Sequence, residues 1–314
     1  MSEKHPSLVD WDSEKRPNTF VVGAPKCGTT ALCHYLDQHP DVFMSSPKEP
    51  HYFVGKEMPR KARVFAETER YARLFLDVAG NQKTIAEGSV WYLYSQTALQ
   101  NISQFNPESK IIVMLRRPDE MVYSMHNQAV GNFSEDIIDF NEAWKTAIGG
   151  NHRSSWSPLC DEHSKLDYHR IALFSKQLER LFRYFPKNQV HIIFYDDFKQ
   201  RTRESFDEVL LFLGLESVDV NTRKVNESQV VVNRTVGRFL TKPPPFAMEM
   251  SRQVKKLLGV EKLGMRKWLR TFNNRVQSRS PIDPLIRAEI ISYYREDIIK
   301  LGKMCDRDLS HWLR

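Results

Sequence analysis

No run of about 18 apolar residues occurs in the 314-residue chain, so nothing reads as a membrane-spanning helix. The opening stretch, MSEKHPSLVDWDSEKRPN, lacks the apolar core of a signal peptide, which makes a cytoplasmic location the expectation. Cysteine is scarce. The four present, Cys27, Cys33, Cys160 and Cys305, show neither CxxC pairing nor metal-ligand spacing with histidine. That argues against a zinc site and a disulfide framework, and for reduced thiols. Internal repeats and low-complexity tracts are absent, which removes solenoid architectures. None of the familiar DNA- or RNA-binding motifs appears.

What is present is a globular composition with surplus positive charge. Apolar residues make up 41% and charged residues 27%, enough for a packed core. Lys and Arg number 46 against 39 Asp and Glu, a formal charge of +7. That balance favours anionic partners, among them a nucleotide, an acidic glycan or a membrane surface.

Short β-branched runs alternate with helical patterns. Residues 19–23, 41–45, 83–89, 110–118 and 189–198 read as strands. Residues 29–39, 119–128, 166–185, 204–215 and 283–302 read as helices. Gly214 closes one helix, and Asp283 with Pro284 caps and opens the last. Alternation of this kind implies a parallel sheet with helices on both faces. Residues 1–18 read as a flexible arm and 19–314 as one domain. Within it, 226–280 is dense in lysine and arginine and reads as a lid, an acceptor-binding segment or a solvated helix face.

The central motif is GAPKCGTT, residues 23–30, between a strand and a helix. Gly23 and Gly28 have the G-x-x-x-x-G spacing of a phosphate loop, whose amides and helix dipole favour an anion. A nucleoside-triphosphate loop needs lysine directly after the second glycine, but Thr29 stands there and the lysine is Lys26. The fold class expected is therefore α/β, P-loop-like and three-layered, with a central parallel sheet flanked by helices.

A second anion site is expected at the end of KIIVMLRRP. A triphosphate enzyme would place a metal-binding Asp at such a strand end. Here stand Arg116 and Arg117, with Ser124 on the next helix. Arg116 and Ser124 form a plausible clamp, and surface ion pairs are the plainer alternative. Two anion positions without a metal site suit a donor bearing a 5′-phosphosulfate and a 3′-phosphate.

These residues resemble the PAPS-dependent sulfotransferases, especially the carbohydrate and heparan sulfate branch and its bacterial relatives. PKCGTT (25–30), the Arg116–Ser124 stretch, KEPHYF (48–53) and YFPKNQVHIIFYDDF (184–198) carry the likeness across most of 19–215. The resemblance implies PAPS (3′-phosphoadenosine 5′-phosphosulfate) as donor, PAP (3′-phosphoadenosine 5′-phosphate) as product and no metal. It implies that Pro25, Lys26, Cys27, Gly28, Thr29 and Thr30 bind the 5′ side, with Lys26 stabilising the leaving phosphate. Arg116 and Ser124 then bind the 3′-phosphate. Glu49 matches the family's base and His51 a companion histidine. Two positions depart from the pattern: Gly88 stands where several heparan sulfate enzymes carry a lysine, and Met121 where an arginine is frequent.

Further expectations concern the edges of the site. Lys48, Ser89, Trp91, Tyr92 and Tyr168 are candidate acceptor contacts, since they lie beside the base, after a strand, or at the start of the 166–185 helix. Arg279 is a candidate for the 3′-phosphate. Cys27, at a helix start in an anion loop, is expected either to have a lowered thiol pKa and to inhibit when alkylated, or to be a small residue that merely fits the loop. The acceptor is expected to be a small molecule or an oligosaccharide, offering a hydroxyl or an amine, and not a nucleic acid. A P-loop small-molecule kinase, revealed by Mg-ATP turnover, and a non-catalytic binder of acidic glycan remain the alternatives.

Overall fold

The apolar runs become the strands of one parallel sheet. The computed structural model describes residues 15–57, 65–149, 157–160, 163–222, 229–231, 274–276 and 281–314. Strands β1 (Thr19–Gly23), β2 (Val42–Met44), β3 (Thr84–Gly88), β4 (Lys110–Leu115) and β5 (Val190–Phe194) pair in the order β2-β3-β1-β4-β5. Every neighbouring pair is parallel. Central strands β1 and β4 carry apolar side chains on both faces, Val21, Val22 and Ile111 to Leu115 among them, and all are buried. Such continuous runs mark a sheet covered on both sides. Each buried Val, Ile or Leu contributes about 1.5–3 kcal/mol.

Helices flank the sheet: α1 (Thr29–Leu36), α2 (Thr68–Ala72), α3 (Ala98–Phe105), α4 (Pro118–Gly131), α5 (Phe140–Ile148), α6 (Phe174–Leu181), α7 (Tyr195–Gln200), α8 (Thr202–Leu213) and α9 (Pro284–Met304). The Asp283 side chain caps α9, accepting from the amides of Leu285 and Ile286. No helix among the described residues is long and apolar enough to cross a membrane. From β1 the chain first builds β2 and β3 on one side, then crosses to β4 and β5 on the other. The reversal leaves a crevice at the carboxyl ends of β1 and β4, where open α/β sheets take their ligands.

Several elements differ from expectation. The 166–185 helix begins only at Phe174 and ends at Leu181. Upstream, side chains take the carbonyls a helix would need: Tyr294 Oη donates to Tyr168 O, and Gln177 Nε2 donates to Ile171 O at 3.0 Å. The 189–198 strand stops at Phe194, because Asp196 and Asp197 form the first turn of α7, where carboxylates suit the helix dipole. The arm is anchored at its end. Asn18 bonds β3 through both backbone and side chain, and Arg16 lies 4.4 Å over the Phe105 ring. Helices α2, α3 and α5 occupy stretches to which the sequence reading gave no element. Of the basic 226–280 segment, only β6 (Gln229–Val231) and β7 (Asn274–Val276) are described, as an antiparallel pair. Arg279 and the three readings of that segment lie outside the described residues.

Candidate active site

β1 delivers the glycine loop to the crevice. Ala24 N donates to Met114 O at 2.7 Å, which ties the loop to β4. Gly28 caps α1 with φ 95°, a left-handed conformation that glycine adopts freely, and it offers no side chain to cover the first-turn amides. A Cβ there would lie 3.1 Å from the Tyr195 ring. Thr29 is buried at 3% exposure and Thr30 is exposed. Free backbone amides and hydroxyls at a helix start are groups that favour an anion.

β4 delivers the strand-end arginines. Arg116 Nη1 donates to Lys26 O at 3.3 Å, and the guanidinium stacks 4.6 Å over Tyr195. Its other nitrogens hold Glu120 Oε2 at 2.9 and 2.7 Å. Arg117 turns away to Asp119, which Arg287 of α9 also engages at 2.9 Å. So the ion-pair reading describes Arg117, while Arg116 joins an ion pair to the loop. Ser124 sits on α4 at 2% exposure.

The third component is a hook after β2. Glu49 N donates to Gly88 O at 2.9 Å, which brings the 48–53 segment over β3. Lys48 Nζ lies 3.3 Å from Thr29 Oγ1, from Thr30 Oγ1 and from Glu49 Oε1. His51 Nε2 approaches Glu49 Oε2 at 3.4 Å. Burial works to raise the Glu49 pKa, but the His51 hydrogen bond and the Lys48 charge outweigh it and hold it down at about 2. Among the described residues five non-glycines have positive φ, and Lys26, Glu49 and His51 are three of them. Such conformations cost about 1–3 kcal/mol each and persist where the surroundings enforce them.

A buried network does the enforcing here. Glu87, wholly buried at the end of β3, accepts from Tyr71 Oη and from Ser89 Oγ at 2.7 Å. Burial pushes its pKa up despite those hydrogen bonds. Ser89 Oγ in turn accepts from His51 N at 3.1 Å, and Tyr92 Oη accepts from Phe53 N at 3.3 Å. The His51 ring keeps its buried Nδ1 without a partner among the described residues.

Four of the acceptor-side candidates have their contacts inside the protein. Ser89 and Tyr92 are buried struts under the hook. Tyr168 is buried too, its hydroxyl donating to Glu135 Oε2 at 3.2 Å. Trp91 is 8% exposed, with the Lys165 ammonium 5.5 Å above its ring. Of the acceptor-side candidates, only Lys48 reaches the loop and the base. Cys27 departs from its expected lowered pKa. It is fully buried, donates to Pro25 O at 3.4 Å, and burial pushes its pKa up to about 12, overcoming the nearby Arg116 and Lys26 charges. The sequence reading missed three contributors. Glu120 was legible four residues after Arg116, in the first turn of the helix that follows the strand, whereas Glu87 as a hub and Tyr195 as a stacking floor depend on long-range packing.

A loop at the switch point of a parallel sheet, an arginine bonded to it and a carboxylate hooked beside it are what this α/β protein brings together. Residues 16–234 match the model of the sulfotransferase domain, and the chain belongs to the sulfotransferase family, a family of transferases. It is similar to the bifunctional heparan sulfate N-deacetylase/N-sulfotransferase 3 of Mus musculus, 26% identical over 313 residues, 97% of this chain and 32% of that protein. It is also similar to the heparan sulfate glucosamine 3-O-sulfotransferase 3A1 of Homo sapiens, 25% identical over 231 residues, 73% of this chain and 50% of that protein. The chain thus spans about a third to a half of the length of these curated relatives. A crystal structure of a sulfotransferase from Alicyclobacillus acidocaldarius shares the fold, with TM-score 0.67 and 23% identity over 95% of this chain and 99% of that one.

Proposed function

We propose that the chain moves a sulfuryl group from PAPS to a hydroxyl or amine of a sugar, glycolipid or small natural product, releasing PAP. The observation that carries this reading is the convergence of Arg116 and Lys48 on one loop from opposite sides, with Glu49 beside it. The residues fit such a donor. The uncapped first turn of α1 and the two threonine hydroxyls suit the 5′ end. Arg116, drawn to the loop from β4, suits the second anion, with Ser124 on the following helix.

In this reading the acceptor oxygen or nitrogen attacks sulfur in line with the departing phosphate. Glu49, ionised at neutral pH, takes the acceptor proton. The new bond to sulfur forms as the old sulfur–oxygen bond breaks, and its electrons leave with PAP. Lys26 and the loop amides meet the negative charge as it grows on the phosphate. His51 orients the Glu49 carboxylate through the contact at Oε2. Sugar acceptors are favoured because both curated relatives act, by name, on heparan sulfate.

The test is calorimetric titration of PAP, without added metal, into wild type, Lys26→Ala and Arg116→Ala. Binding by wild type that weakens at least about tenfold in each variant is expected for lost charge-assisted contacts. No binding by wild type overturns the reading.

A further inference from the structure

Lys48 occupies a position that the chemistry just described has to vacate. Its ammonium carries three N–H donors. Three oxygens surround it at 3.3 Å: the two hydroxyls of the anion loop and one oxygen of Glu49. The stem runs over Gly88, where a Cβ would come 3.4 Å from Lys48 Cε and 2.7 Å from Cys33 Sγ. Any larger residue at that position would crowd the lysine and the thiol together. The side chain is 23% exposed, so one side of it stays open to the crevice.

If the loop holds the leaving phosphate and Glu49 takes the acceptor proton, the sulfuryl group in transfer lies between them. That is where the ammonium now stands. We propose that Lys48 is a resident cation that fills the transfer point when no donor is bound, and swings onto the sulfuryl oxygens when donor arrives, so that it reads the sulfate end of the donor apart from its phosphates. This rests on the sulfuryl-transfer reading above. Leaving its resting place frees Thr29 and Thr30 for the donor. It also takes from Glu49 one of the charges that hold its proton affinity down. The base thereby strengthens only when there is something to transfer. A long, flexible stem bearing a compact charge suits a group that changes partners.

PAP and PAPS differ by the sulfuryl group alone, so titrating each separately, without acceptor, isolates the contact. Lys48→Met is expected to weaken PAPS binding by about tenfold or more, the size of one charge-assisted hydrogen bond, while PAP binding changes less than about threefold. Lys48→Arg is expected to restore most of the PAPS affinity. Retained PAP binding by Lys48→Met shows that the variant is folded. Equal loss for both ligands overturns the proposal, since Lys48 would then serve the phosphate or the fold. Undiminished PAPS binding overturns it too. Wild type that binds neither ligand removes the sulfuryl-transfer reading itself, and the proposal with it.

Discussion

Between Gly23 and Thr30 the chain works through its backbone, and between Lys48 and Phe53 it works through side chains. The loop is a run of amides at a helix start, with Pro25, Cys27 and Thr29 buried beneath it. The hook is three ionisable groups, with Glu49 in contact with both Lys48 and His51, propped from below by Glu87 and Ser89. The contrast follows from what each has to do. Holding a fixed charge asks for dipoles that do not move. Taking up a proton asks for a group whose affinity its neighbours tune.

The sharpest way to break this division is Glu49→Gln. Turnover of PAPS with an oligosaccharide acceptor is expected to fall about 10²–10⁴-fold, the usual worth of a general base, with PAP affinity held within about threefold. A matching fall in PAP affinity would merge the two halves into one. Acidity sharpens the same point. Glu49 is held at about 2, below the ordinary glutamate value of about 4.3, so it stays ionised well into acid. In wild type, kcat/KM for PAPS, which reports the donor-free enzyme, is therefore expected to show no loss from this group between about pH 7 and pH 4. A fall centred near pH 4–5 that is missing from the residual activity of Glu49→Gln would contradict it.

Glu87→Ala probes the support of the hook. It removes the acceptor for Tyr71 and Ser89 inside the protein. A loss of about 3 kcal/mol in urea unfolding is expected, since buried donors left unmatched cost about 1–3 kcal/mol each. An unchanged urea midpoint would mean that the hook does not lean on Glu87. The smallest effect is expected at Cys27, on the underside of the loop. With its thiol pushed up to about 12 and sealed from solvent, labelling by iodoacetamide at neutral pH should proceed only on the unfolding timescale, as mass spectrometry of native and urea-treated protein would show. Fast native labelling would make the loop more open than its packing implies.

The same division decides what was legible before the fold was known. Gly23, Lys26, Gly28, Thr29 and Thr30 fall within one eight-residue stretch, so their spacing could be read without knowing the fold. Strands β1 and β4 were legible because unbroken β-branched runs have few other uses. The acceptor side was not. Tyr168, Tyr92 and Ser89 are polar residues near a strand or helix end, and their tertiary partners Glu135, Phe53 and Glu87 hold them inward. The late start of α6 was hidden for the same reason, since Tyr294 from a distant helix takes the Tyr168 carbonyl; the early stop of β5 follows from the carboxylates in the first turn of α7. Cys27 was misjudged because dipole and cation were visible in the sequence and burial was not.

Helix α9 packs on α4 and α6, with Ile290, Tyr294, Ile298 and Leu301 buried and Asp297 accepting from Ser175 Oγ at 2.5 Å. The last strand of the sheet ends at Phe194, and α9 begins at Pro284. On a ribosome, the intervening chain takes roughly 5–20 s to make at ordinary elongation rates. Through that interval α4 and α6 lack the apolar face of α9 that packs on them, and this is the window in which a chaperone, or an aggregating neighbour, would meet the protein.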